Sequence, residues 1–125
     1  MDLYDEVVAA LLADEAVPAN FWPFNYSSNA AEAQHLVKSG AALLFGFTVT
    51  NSNAAARFIQ VFDSSTAPAN GAVPKVSIQV AATASTGTQW VPPRRMDSGI
   101  FICASTTQLT LTLGAAEFLF DVQYV

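Results

Sequence analysis

From about Ala33 onward the apolar residues recur at every second position, the spacing of half-buried β-strands and not of helices. Val76, Ile78 and Val80 alternate with Lys75, Ser77 and Gln79, and Phe118, Phe120, Val122 and Tyr124 share one face of the last segment. Leu43, Phe45, Phe47 and Val49 form another such series, as do Leu109, Leu111 and Leu113. Further strands are expected at Gln34 to Lys38, Arg57 to Asp63, Thr88 to Val91 (closed by Pro92-Pro93) and Ile100 to Ser105. Turn-forming residues separate them at Asn51-Ser52-Asn53, Ser64 to Pro74 and Asp97-Ser98-Gly99. About eight short strands punctuated this way predict an all-β domain, an antiparallel β-sandwich or jelly roll.

The residues before this pattern differ in character. Leu3, Val7 and Leu11 stand at helical spacing, with Asp2, Asp5 and Glu6 suited to a helix N-terminus, and Pro18 closes the segment. Phe21-Trp22-Pro23-Phe24-Asn25-Tyr26 then packs four aromatics into six residues, held extended by Pro18 and Pro23. The expected organisation is a short helix and extended aromatic arm over 1–32, followed by a sandwich over 33–125. The arm carries more apolar surface than a small sandwich needs, so Leu3, Val7, Leu11, Phe21, Trp22, Phe24 and Tyr26 are candidate partner contacts. The only basic pair, Arg94-Arg95, is a candidate for meeting acidic groups of that partner.

Composition excludes several other functions. Charged residues are 12% of the 125, about half the usual share, which suits a chain that hides surface against a partner. With a net charge of −5 and five Lys and Arg, no nucleic-acid partner is expected. No apolar run is long enough to span a bilayer, so no membrane role is expected, and the acidic start predicts synthesis in the cytoplasm without export through a secretory signal. His35 and Cys103 are single occurrences, so neither a metal site nor a cofactor is expected. Lys38-Ser39-Gly40 lacks the order of a phosphate-binding loop and reads as a turn. Asp63, Asp97, Glu117 and Asp121 occupy strand ends or polar positions, where solvated surface is the default, and no enzyme is expected.

The stretch Gly46 to Asp63 (GFTVTNSNAAARFIQVFD), the later Gly71-Ala72-Val73-Pro74 and Asp97 to Thr107, and the ending Phe120-Asp121-Val122-Gln123-Tyr124-Val125 resemble virion structural proteins of tailed bacteriophages. That resemblance covers about Gln34 to Val125. Small β-sandwich virion proteins of this type are similar to capsid decoration (cement) proteins. It implies a protein of the capsid surface, often a homotrimer, that binds the major capsid protein and clamps adjacent subunits. The alternative it leaves open is a tail, fibre or neck module recognising a host receptor or glycan through loops such as Ser64–Pro74 and Ala82–Gly87. Trp90, beside the second loop, is the one ring suggested for sugar stacking, while a core position is the expected one.

Overall fold

A computed structural model describes residues 22–125, and every regular element among them is a β-strand. The strands are β1 (Phe24–Ser27), β2 (Gln34–Ser39), β3 (Ala42–Asn51), β4 (Arg57–Phe62), β5 (Val76–Val80), β6 (Ser85–Met96), β7 (Gly99–Ser105) and β8 (Phe118–Tyr124). They form two four-stranded antiparallel sheets, sheet A in the order β1-β8-β3-β6 and sheet B in the order β2-β7-β4-β5. The pairs β1–β8, β2–β7, β3–β6 and β4–β5 fold the first half of the chain back along the second. This is the connectivity of a jelly roll.

The alternating residues explain the layers. Phe47 and Val49 of β3, Ile59 and Val61 of β4, Ile100 and Ile102 of β7, and Phe118, Phe120 and Val122 of β8 meet in one buried core. Each such side chain contributes about 1.5–3 kcal/mol through removal from water. A β-bulge between Leu44 and Gly46 resets the phase of β3, so Ala42 and Leu44 join Phe47 and Val49 in the core. The expected face of Leu43, Phe45, Phe47 and Val49 is therefore not one face. One extra residue flips every side chain beyond it. Gly46 also lets β3 approach β6: a Cβ there would come within 2.7 Å of the Thr88 carbonyl oxygen.

Three other expectations need correction. The extended segment at Phe24–Ser27 is an edge strand of the sandwich, pairing Asn25 with Gln123 and Ser27 with Asp121. Pro92-Pro93 does not end its strand: β6 runs through it as the edge of sheet A, where missing N–H groups cost no ladder bonds. Leu109 to Leu113 is no strand. Leu111 alone inserts between Phe62, Phe101 and Cys103 on the outer face of sheet B, while Leu109 is 82% exposed. The helix expected around Leu3, Val7 and Leu11 lies outside the described residues, as does Phe21.

Candidate functional site

The aromatic and basic candidates within the described residues gather at one end of sheet A. Phe24 is paired with Tyr124, Tyr124 with Leu44, and Leu44 with Arg94, a single row crossing all four strands. Successive strands lie about 4.8 Å apart, so Phe24 and Arg94 stand about 14 Å from one another. The Phe24 ring lies 5.9 Å from that of Tyr124 and is 57% exposed; Trp22, two residues earlier, is 56% exposed. Large rings left this exposed are apolar surface that the fold itself does not cover.

Tyr26, the third ring, is built into the molecule. It packs against the core, stacks on His35 with 3.8 Å between ring centres, and donates a hydrogen bond to Glu32 Oε2 at 2.6 Å. Ser28 donates to the same oxygen at 2.6 Å, and His35 Nδ1 lies 3.0 Å from Oε1. Burial pushes the Glu32 carboxyl upward, but the Ser28 and Tyr26 donors and the neighbouring His35 outweigh it and hold the group below the usual carboxylate range. Burial and the adjacent Glu32 push the Tyr26 phenol above its ordinary value. The cluster ties β1 of sheet A to β2 of sheet B, so Tyr26 serves as a clasp.

The basic pair is likewise partly engaged. The Arg94 guanidinium sits 5.6 Å over the Trp90 ring, which meets Phe47 edge-on and packs against the core. Trp90 is thus committed inward and does not offer a sugar-stacking face. Arg95 Nε donates to Asp97 Oδ1 at 3.2 Å on the surface.

The carboxylates noted in the sequence have separate partners. Asp63 accepts backbone N–H bonds from Asp97, Ser98 and Gly99, pinning the β6–β7 turn to the end of β4. Burial raises its carboxyl; those three N–H groups and the Lys75 charge more than offset it, and the group titrates below its ordinary value. Glu117 lies 3.2 Å from Arg57 Nε and accepts from the Asn53 amide at 2.5 Å. Cys103 is buried, and burial pushes its thiol up to about 12, far from a nucleophile's range. No group of three or more His, Cys, Asp or Glu converges to hold a metal among the described residues.

A polar feature escaped the sequence. On the outer face of sheet A, Gly46 is paired with Gln89 on one side and Gln123 on the other, and Thr48 with Gly87 and Asp121. The missing side chains leave a shallow hollow of about 350 Å³ lined by Thr48, Gly87, Gln89 and Gln123, with Phe47 and Thr88 beneath. Neighbouring side chains interlock: Gln123 Nε2 donates to Asn25 Oδ1 at 2.7 Å and Asp121 Oδ1 at 3.1 Å, and Asn25 donates to Ser27 at 2.8 Å. Only cross-strand register assembles this set, so no local motif announces it. Comparison with protein-family models, with curated proteins and with solved structures finds no match to this chain.

Proposed function

We propose that this chain is a capsid decoration protein of a tailed bacteriophage, made in the host cytoplasm and bound to the outer surface of the virion shell. It acts by burying apolar surface across joints between major capsid subunits, without catalysis. The observation that carries the proposal is the exposure of Trp22 and Phe24, with Phe24 on the edge of sheet A in the same cross-strand row as Arg94. Aromatic residues and arginine are the residue types enriched in binding hot spots. The resemblance of Gly46 to Asp63 and of the C-terminal strands to phage virion proteins supports the same reading. Leu3, Val7, Leu11 and Phe21 extend the proposed contact, and self-association as a trimer would present several such rims to the shell at once.

Co-sedimentation with shells assembled from the phage's major capsid protein tests this. The wild-type chain binds saturably, and Trp22→Ala weakens binding by about 2 kcal/mol, roughly 30-fold. Unchanged affinity in the Trp22→Ala, Phe24→Ala double variant removes the aromatic rim from the account. The second reading, a tail, fibre or neck module, is favoured by the polar outer face of sheet A, and copy number in the particle separates the two.

A further inference from the structure

We infer that the outer face of sheet A binds a neutral saccharide unit in the hollow between Gln89 and Gln123. The hollow, about 350 Å³, is shallow and opens to solvent, so it seats a single unit against the sheet and does not enclose it. Both N–H groups of the Gln123 amide are directed at Asn25 and Asp121, which fixes the side chain and leaves Oε1 as an oriented acceptor. Across the Gly46 gap, the exposed Gln89 amide and, beside it, the exposed Thr48 hydroxyl make no hydrogen bond within the described residues. The walls therefore offer a prearranged acceptor with a free amide and a free hydroxyl, each able to donate and accept.

That chemistry selects the ligand class. Sugar hydroxyls donate and accept at once, matching amide and hydroxyl walls. An anion would be repelled by the Asp121 carboxylate one row away, and one carboxylate is too few to hold a metal cation. An extended peptide would need pockets for alternate side chains, and beside the hollow Ser27, Thr50 and Ser85 are small, while the exposed Leu119 and Val91 stand clear of its lining. No exposed ring lines the hollow, so binding of one sugar unit is weak and affinity comes from repeated units or repeated copies. The site does not depend on the shell-binding rim, and its failure would leave that proposal standing.

Titration of the full chain by ¹H–¹⁵N NMR tests the inference, using the methyl glycosides of glucose, mannose, galactose and N-acetylglucosamine as probes. The expected result is saturable shifts, for at least one probe, at the backbone amides of Thr48, Gly87, Thr88 and Gln89 and at the side-chain amides of Gln89 and Gln123. Gln89→Ala and Thr48→Val, which remove no internal hydrogen bond, each weaken that binding by about tenfold and leave the melting temperature unchanged. The inference is overturned by no saturable shift with any of the four probes, by shifts confined to the 64–74 loop or other regions, or by unaltered affinity in both variants.

Discussion

The side-chain amide of Gln60 donates a hydrogen bond from the middle of β4 to the carbonyl oxygen of Thr107, 2.8 Å away, and so fastens the β7–β8 connection to the outer face of sheet B. The same nitrogen lies 3.0 Å from the Gln108 carbonyl oxygen, and Ser105 Oγ donates to Thr107 at 2.8 Å. Gln60 is fully buried, and its Oε1 has no partner among the described residues. An unpaired acceptor in that position is costly, so the amide's value lies in what its nitrogen holds.

Gln60→Leu leaves those carbonyls without their donor and is expected to destabilise the chain by about 1–3 kcal/mol. Urea unfolding measures the loss. Amide exchange should quicken at Leu111 and Thr112, whose N–H groups bond Ala72 O and Ser105 Oγ within the fastened connection. Unchanged exchange there would mean that Leu111 packing alone seats the connection.

Asp63 makes stability depend on pH at the acid end. Its folded carboxyl titrates below the unfolded value of about 3.9, so its contribution is fully present above that value and is lost as pH falls through the folded pKa. Asp63→Asn is expected to be less stable than wild type at neutral pH, with the gap closing on acidification below about pH 4. Thermal melts of both proteins across that range check the sign; a gap that widens in acid contradicts it.

Exposure separates the rings that hold the fold from those that do not. Phe118 is fully buried, and Phe118→Ala should cost about 3–5 kcal/mol of folding stability. Trp22→Ala, at a position 56% exposed, should change folding stability by less than about 0.5 kcal/mol. Chemical denaturation of the two variants makes the comparison. A large loss for Trp22→Ala would assign that ring to the fold and not to a partner.

Cys103 should behave as an inert core thiol. In the native protein at mildly alkaline pH it should resist a disulfide reagent that labels the denatured chain promptly, because burial keeps it protonated and covered. Prompt native labelling would show that the Leu111 cover opens easily.

The sandwich was legible because Val76, Ile78 and Val80, and Phe118, Phe120 and Val122, carry their burial in a plain two-residue period. The β3 bulge was not, since Phe45 continues the apolar alternation of Leu43 and Phe47 in sequence and nothing local marks it as the residue left out of the pairing. Leu109, Leu111 and Leu113 show the converse error: an alternating series in which only one leucine is buried, the remainder held by threonine and serine hydrogen bonds to carbonyls. The exposed rings at Trp22 and Phe24 were visible as an apolar excess, but the pairing of β1 with β8 joins residues about a hundred positions apart and carries no local signal. The Gln89–Gly46–Gln123 row is likewise a product of register alone.

The most direct test of the central proposal is the copy number of this chain in purified virions, measured by gel densitometry against the major capsid protein. A decoration protein should be present in a fixed stoichiometric ratio to the capsid subunit. A handful of copies per particle, or none, would contradict placement on the shell.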